Sequence, residues 1–287
     1  MRRILAAILI AIVLAWLAAP VARAYALVVG HPSAVRPPVD LTVEDITFGP
    51  VEARLAGWLV RGKPGAPAVV LAHGFKASRE EMVPWARFLH DAGYNVLLFD
   101  TRACGQSGGA TVGLGAIEAQ NIELAVRSAK DAFATSRIGV LGISLSAGAA
   151  ILAAADDLEI SAVVADSAWT DQDLQLSRLS FIPVGTLRIP LPPFGVAAVN
   201  AMAGTDVTKA RPIDAIARIA PRPLFLIHSA DDENATTTVD GARRLFDAAG
   251  EPKQIWIAPR GGHVGAINAF PDEYRSRVLA FLEGALR

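Results

Sequence analysis

Val140–Gly148, with the sequence VLGISLSAG, is the stretch that decides how this chain can fold. Gly142, Ser144 and Ser146 reproduce the spacing Gly-x-Ser-x-Gly, except that serine stands in place of the last glycine. That spacing is typical of a serine held on a sharp turn between a strand and a helix. The apolar run before Ser144 predicts a buried strand, and the small residues after it predict a helix. A plain strand-to-helix turn of small residues is the alternative interpretation.

Short apolar runs rich in Val, Ile and Leu alternate with longer helical patterns along the rest of the chain. PAVVLAH, NVLLFD, IGVLGIS, SAVVAD and PLFLIHS suit parallel strands buried on both faces. VEDITF and ARLAGWLV alternate as an edge hairpin would, and KQIWIA supplies a last strand. This alternation predicts an open parallel sheet with its active site at the carboxyl ends of the strands. The expected helices are Glu80–Ala92, Ile117–Phe133, Leu145–Ala155, Val239–Ala249 and Pro271–Leu286.

Composition narrows the class of protein. The 287 residues are 52% hydrophobic and carry a formal net charge of −1, which fits one large α/β domain. The near-zero charge and the lack of a basic cluster argue against nucleic acid as a partner. Cys104 is the only cysteine, so an internal disulfide and a cysteine-pair zinc site are excluded. The five histidines form no His-Glu-x-x-His pattern, and we expect neither a metal nor a cofactor.

Residues 1–24 differ from the rest. Arg2 and Arg3 precede a long uncharged apolar run, and Ala22–Ala24 offers a small-residue cleavage site, so the segment is predicted to be a signal peptide or a membrane anchor. The length of the run favours the anchor, since about 20 apolar residues span a bilayer. The early arginines place the domain outside the cytoplasm, tethered to the membrane, or periplasmic or secreted if the leader is cleaved. The proline-containing residues 25–40 are predicted to be a linker onto a domain at 41–287.

A second motif, LAHGFKASRE, follows the third predicted strand. Gly74 stands where the chain must turn abruptly, so the backbone N–H of Phe75 could point at a substrate oxygen. The N–H of Leu145, directly after the candidate serine, would be its partner. Two such donors form an oxyanion hole. An ordinary strand-to-helix loop is the alternative.

Two further signals lie towards the C-terminus. Asp231 and Asp232 follow a buried strand, and His263 lies in a glycine-rich loop after the last strand. Serine, acid and histidine thus occur in the chain order that this topology produces. In that arrangement His263 takes the proton of Ser144, and a carboxylate orients and stabilises the imidazole. Asp166, which ends another strand, is an alternative acid.

With these motifs assembled, residues 41–287 resemble the α/β-hydrolases. The resemblance rests on GWLV, LAHGF, AGYNVLLFDTRACGQSGG, LGISLSAGA, LIHSADD and GGHVG. It is strongest to serine-aminopeptidase-like (S33-type) and acyl-esterase-like bacterial members with N-terminal membrane anchors. It implies an α/β-hydrolase fold, with a mostly parallel eight-stranded sheet, helices on both faces and a small lid.

The resemblance also implies roles for individual residues. Ser144 matches the nucleophile of the family and His263 matches the base. The family's acid lies four residues after the histidine of an Ile-His-Gly-x-x-Asp stretch. Counting from His228 selects Asp232 over Asp231.

A lid is expected at about residues 167–210, where the alternation of strands and helices pauses and prolines interrupt an apolar stretch. Trp169, Phe181 and Phe194 could line an acyl pocket there, or they could merely seal the sheet against water. This stretch has no acidic cluster suited to a free amino group, which favours an esterase over an aminopeptidase.

The sequence therefore predicts a serine hydrolase acting on a small carboxylic ester or related acyl compound through an acyl-enzyme. A peptidase, aminopeptidase or amidase of the same fold is the alternative. A membrane-tethered binding protein without catalysis is a more remote one. The membrane would be contacted through the N-terminal segment if that segment is uncleaved, and the sequence leaves the oligomeric state open.

Overall fold

One eight-stranded sheet forms the centre of the computed structural model, which describes residues 1–286. Its strand order is β12-β11-β8-β7-β4-β5-β3-β2, and a short β1–β6 pair and a β9–β10 hairpin lie apart from it. The strands are β1 (His31–Pro32), β2 (Glu44–Phe48), β3 (Leu55–Val60), β4 (Ala68–Ala72), β5 (Asn95–Phe99), β6 (Cys104–Gly105), β7 (Ile138–Ile143), β8 (Ile160–Asp166), β9 (Phe181–Val184), β10 (Leu187–Pro190), β11 (Leu224–Ser229) and β12 (Lys253–Ala258).

The register of the sheet follows the apolar runs of the sequence. β3 pairs antiparallel with both β2 and β5, which confirms the predicted edge hairpin. The other neighbours, from β5 across to β12, pair in parallel. β4, β5 and β7 lie inside the sheet and bury every residue, as continuous apolar runs require. The carboxyl ends of β4, β7, β8, β11 and β12 therefore share one edge of the sheet.

Helices cover both faces of the sheet. The helices are α1 (Arg2–Val28), α2 (Val83–Asp91), α3 (Ala116–Phe133), α4 (Leu145–Asp156), α5 (Asp173–Ser177), α6 (Gly195–Ala203), α7 (Pro212–Ala215), α8 (Val239–Ala248), α9 (Ala266–Ala269) and α10 (Pro271–Ala285). Short 3₁₀ helices lie at Val51–Ala53, Arg79–Met82, Arg178–Ser180, Val207–Lys209 and Ile216–Ile219.

Two apolar cores hold the layers together. One core joins α3, α4 and α8 to one face of the sheet, largely through alanines of α4 that let this helix approach the strands closely. The other core joins α2 and α10 to the opposite face, where Trp85, Trp256 and Tyr274 meet edge to face. The five helices expected over this part of the chain are all present, with ends shifted by at most three residues.

The N-terminal helix extends beyond residue 24, the predicted end of the leader or anchor segment. α1 does not end at residue 24 but continues to Val28, and His31 then pairs with Cys104. Ala24 and Val28 are fully buried in a third apolar cluster with Leu176 and Val199 of the lid segment. Residues 25–28 are thus helical, and Val28 is buried while Tyr25 and Ala26 stay exposed.

Candidate active site

Ser144 stands at the turn between β7 and α4. Its φ of 52° and ψ of −116° lie in a region that L-residues rarely adopt. The turn is possible because residue 142 is glycine, since a Cβ there would lie 2.2 Å from the carbonyl oxygen of Ser146. The backbone thus holds the Ser144 side chain at the carboxyl edge of the sheet in a strained conformation.

Ser146, which replaces the last glycine of the motif, has a partner of its own. It is fully buried, and its hydroxyl donates a hydrogen bond of 2.5 Å to the backbone carbonyl of His73. That bond joins the start of α4 to the loop that follows β4. The extra hydroxymethyl group therefore connects the two segments that surround Ser144.

His263 connects Ser144 to an acid. Its Nε2 lies 2.8 Å from Ser144 Oγ, and its Nδ1 lies 2.9 Å from Asp232 Oδ2. The loop that carries His263 is held on both sides: the N–H of Gly262 donates to Asp231 Oδ1, and the N–H of Val264 donates to a serine after β8. The imidazole thus bridges a hydroxyl and a carboxylate within one hydrogen-bonded chain.

Asp232 and Asp231 do different things, although they are neighbours. The Asp232 side chain is fully buried, and His228 Nε2 lies 3.3 Å from the same oxygen that faces His263. Burial raises the pKa of Asp232, but the two imidazoles and the Asn234 amide outweigh it and hold that pKa well below its usual range. Asp232 is consequently ionised at neutral pH, whereas Asp231 is turned towards the Gly262 amide.

Asp166, the alternative acid, lies in a separate network. Its two carboxylate oxygens accept hydrogen bonds from Ser167 (3.0 Å) and from the Tyr274 hydroxyl (2.9 Å). Burial raises its pKa to about 6 against the opposing effect of those bonds. Ser167 Oγ in turn accepts the Val264 amide at 3.1 Å, so Asp166 supports the loop of His263 rather than its imidazole.

The two expected oxyanion donors flank Ser144. Phe75 and Leu145 both line the cleft that contains Ser144. Among the described residues, neither N–H has a hydrogen-bond acceptor, because Leu145 begins its helix and Phe75 lies in a turn. The N–H of Gly74, directly before Phe75, donates a hydrogen bond of 2.8 Å to Glu81. Phe75 and Leu145 thus leave two backbone N–H groups without an acceptor at the cleft of Ser144, and Glu81 holds the loop that carries Phe75.

A cleft of about 250 Å³ opens beside Ser144. Trp169 forms one wall: it is buried, its indole N–H donates to the Leu145 carbonyl at 2.9 Å, and its ring packs so tightly on Gly148 that a Cβ there would lie 2.3 Å away. The remaining walls are apolar or carry neutral amides and hydroxyls, with one arginine. The lining residues are Phe75, Leu114, Ser144, Leu145, Trp169, Gln172, Gln175, Arg178, Asn234, Thr236 and Thr237.

Comparison with known proteins agrees with this geometry. A family model of the α/β-hydrolase fold matches residues 67–189. The esterase Pf2001 of Pyrococcus furiosus superposes with a TM-score of 0.69 at 26% identity, covering 90% of this chain and 99% of that one. The chain has the α/β-hydrolase fold.

Relatives of this α/β hydrolase include proteins without an assigned activity. YqkD of Bacillus subtilis (strain 168) is 27% identical over 237 residues, which cover 79% of this chain and 76% of that protein. YfhR of Escherichia coli O157:H7 is 27% identical over 258 residues, covering 86% and 81%. The names of these two relatives give neither an activity nor a substrate.

The hydrolase departs from the sequence analysis in its expected acyl pocket. Trp169 lines the cleft, but Phe181 and Phe194 do not. Phe181 lies in β9 under the guanidinium of Arg188, and Phe194 is exposed at the start of α6. The prediction for both aromatics rests on their position in the chain alone, and the segment predicted to form the lid folds so that neither lines the cleft.

Polar residues of the cleft were not foreseen. Gln172, Gln175 and Arg178 come from the lid, and Thr237 Oγ1 lies 3.1 Å from His263 Nδ1 and 3.4 Å from Asp232 Oδ2. No motif marks these side chains, because lid contacts depend on how α5 docks over the cleft.

Other residues with reactive or charged side chains have structural surroundings. The Cys104 thiol is buried, and burial raises its pKa to about 11, which disfavours the reactive thiolate. Asp100 pairs with the buried Arg79 at 2.6 Å, and that guanidinium stacks over Trp58 at 4.5 Å. Within residues 1–286, no group of three or more His, Cys, Asp and Glu side chains is arranged to hold a metal ion.

Proposed function

We propose that this α/β hydrolase is a serine esterase that cleaves carboxylic esters through an acyl-enzyme. The observation that carries the proposal is the unbroken chain from Ser144 through His263 to Asp232, with contacts of 2.8 Å and 2.9 Å. Hydroxyl, imidazole and carboxylate in that order are the parts of a serine nucleophile with its base and orienting acid. The strained backbone of Ser144 supports catalysis over mere binding, because such conformations cluster at active sites.

The reaction follows from the positions of these groups. Ser144 Oγ attacks the ester carbonyl carbon while His263 Nε2 takes the hydroxyl proton. The resulting oxyanion accepts hydrogen bonds from the amides of Phe75 and Leu145. The intermediate collapses to an acyl-serine, and the departing alcohol receives the proton from His263. Water then repeats the sequence, releasing the carboxylic acid and restoring the serine, while the carboxylate of Asp232 stabilises each imidazolium.

The cleft favours an ester over a peptide with a free amino terminus. No aspartate or glutamate is among the described residues that line the cleft, so the lining offers no carboxylate to a substrate ammonium. Phe75, Leu114, Leu145 and Trp169 provide the apolar surface that an acyl chain needs. Peptidase or amidase activity is the outcome that would replace this proposal.

We expect kcat/KM for p-nitrophenyl esters to rise with acyl length and then level off. Each methylene buried in the cleft adds roughly 0.8 kcal/mol, or about fourfold, until the apolar walls end. The measurement compares esters of two to twelve carbons with aminoacyl-nitroanilides. Faster hydrolysis of a nitroanilide than of every ester would establish the peptidase alternative.

We further propose that α1 is retained as a membrane anchor with the catalytic domain outside the cytoplasm. α1 is long and apolar enough to cross a membrane, and Arg2 and Arg3 lie in its first turn, on the expected cytoplasmic side. Its last turns favour an anchor over a cleaved leader, because cleavage after Ala24 would remove a residue fully buried against the lid.

An alkaline-phosphatase reporter fused to the C-terminus should be active, because that enzyme requires export. The fusion should also sediment with membranes at its full, uncleaved size. A normally expressed but inactive reporter would contradict the topology, and an active reporter in a soluble, shortened product would contradict retention of the anchor.

A further inference from the structure

The C-terminal half of α1 is docked on the lid. The Trp16 indole N–H donates to the carbonyl of Pro190 in the β9–β10 hairpin at 2.8 Å. The Arg23 guanidinium donates to the Arg178 carbonyl, also at 2.8 Å. Lys76 Nζ, next to the oxyanion loop, donates to the Ala26 carbonyl at 2.8 Å. The position of the helix in a membrane therefore fixes the position of the lid.

The charges on α1 set its depth. Residues 4–22 carry no charge, and at about 1.5 Å per residue this run is about 28 Å long, close to the hydrocarbon thickness of a bilayer. With Arg3 at the inner headgroups, Arg23 lies at the outer ones. Trp16 is seven residues earlier, so it lies roughly 10 Å below the outer surface of the hydrocarbon. The hairpin that it holds is brought to the same depth.

The β9–β10 hairpin has a surface suited to that depth. Val184, Leu187 and Ile189 are 51%, 67% and 44% exposed, although nothing in the catalytic reaction requires apolar residues there. Thr186 and Arg188 are the only polar side chains between Phe181 and Pro190. A long arginine side chain can extend to the headgroups while its stem stays in the apolar layer.

The backbone of the hairpin is also suited to an apolar surrounding. The two-residue turn makes Val184 and Leu187 a hydrogen-bonded pair. The next pair along the strands, Pro183 and Arg188, is therefore not hydrogen-bonded, and its backbone N–H and C=O groups point away from the partner strand. By the same alternation Pro190 also faces outward. The outward-facing positions are thus Phe181, Pro183, Arg188 and Pro190. The two prolines have no N–H that needs an acceptor, and the Pro190 carbonyl already accepts the hydrogen bond from Trp16.

The active-site cleft adjoins a cavity beside the C-terminal end of α1. A second cavity of about 290 Å³ is lined by Arg23, Ala26 and Leu27 of α1. Gln175 and Arg178 line both this cavity and the cleft of Ser144. The cleft of Ser144 therefore borders the cavity at the C-terminal end of α1. That end of the helix lies at the outer surface of the membrane.

We propose that the β9–β10 hairpin is immersed in the outer leaflet and that the active site takes its acyl ester from the bilayer. The inference rests on the proposed esterase activity and on retention of α1. An amphiphilic ester, with its acyl chain in the leaflet, passes between α1 and the lid to reach Ser144. A soluble ester reaches the same serine without using the hairpin.

The depth of the hairpin can be measured in the full-length chain in phosphatidylcholine–phosphatidylglycerol vesicles. Leu187→Cys, labelled with an environment-sensitive fluorophore, should be quenched at least about threefold more by spin-labelled lipids than labelled Leu158→Cys. Leu158 is 81% exposed at the opposite end of the sheet and is the matched control. Cys104 is buried and leaves little background. The same label on Leu9→Cys, within α1, measures whether the anchor itself lies in the bilayer.

The outcomes separate the hairpin from the anchor. Strong quenching at positions 9 and 187 with none at 158 supports the proposal. Quenching at position 9 alone overturns the immersed hairpin while preserving the anchor. No quenching at position 9 overturns the anchor and the inference with it.

Activity tests the route of the substrate. Val184→Ser/Leu187→Ser should hydrolyse 4-methylumbelliferyl oleate in vesicles about tenfold more slowly, since two apolar anchors leave the leaflet, with p-nitrophenyl butyrate unchanged within twofold. Leu158→Ser should change neither rate. Equal losses on both esters would overturn the route from the bilayer. Failure of the unmodified chain on both esters would instead overturn the proposed esterase and, with it, this inference.

Discussion

Replacing Ser144 by alanine is expected to lower kcat by about 10⁴–10⁶, because the variant keeps the cleft and the oxyanion donors but loses the atom that forms the acyl-enzyme. Labelling by a fluorophosphonate probe should disappear as well. The free energy of unfolding should change by less than about 1 kcal/mol, since alanine occupies the same backbone and only a hydroxyl is removed. Activity on the best p-nitrophenyl ester and urea unfolding measure the two effects.

Ser146→Ala is the matched control for this prediction. Ser146 lies two residues away and is buried, and its hydroxyl is used by the His73 carbonyl rather than by His263. Its loss should leave probe labelling intact and reduce kcat far less than Ser144→Ala. If Ser144→Ala retains near-normal turnover, or if Ser146→Ala alone abolishes labelling, the nucleophile has been assigned to the wrong serine.

Asp232→Asn is expected to slow turnover by about 10⁴. An amide in place of the carboxylate can present an N–H to His263 Nδ1, which favours the tautomer that cannot accept the serine proton. It also removes the charge that stabilises the imidazolium. The rate should not recover at any pH at which the protein stays folded, because the amide does not titrate.

Asp231→Asn provides the comparison, since it makes the same chemical change one residue away. Its side-chain oxygen can still accept the Gly262 N–H that Asp231 accepts at 2.8 Å. We expect a loss of less than about tenfold, arising from the single hydrogen bond to the loop. A larger loss in Asp231→Asn than in Asp232→Asn would reverse the roles of the two carboxylates.

Most of the sheet could be predicted from local pattern. The central strands are apolar over their whole length because both faces are covered, and such runs are visible in a sequence without knowledge of their partners. Ser144 could be located because the strand, the turn and the helix around it are all local features. The structure brings His263 and Asp232 to Ser144 because parallel strands end at one edge; their catalytic role stays a prediction.

The lid could not be predicted in the same way. Phe181 and Phe194 are apolar residues near prolines, and nothing local determines whether they face the serine, the sheet or solvent. Phe194 precedes α6, which packs against the distant α1, and Phe181 lies in a hairpin against Arg188. The continuation of α1 beyond residue 24 could not be predicted for the same reason, since Ala24 and Val28 resemble a processing site and a linker until their contacts are known.

The left-handed backbone of Ser144 has a consequence for how this sequence changes over generations. A side chain at φ 52° and ψ −116° is disfavoured by roughly 1–3 kcal/mol, whereas glycine adopts positive φ freely. Under the proposed function, serine at this position costs the protein stability that glycine would not cost. A descendant released from selection for chemistry would gain stability by a change to glycine at position 144, with the rest of the sheet untouched. The residue at this one turn is thus a record of whether a lineage still depends on the reaction.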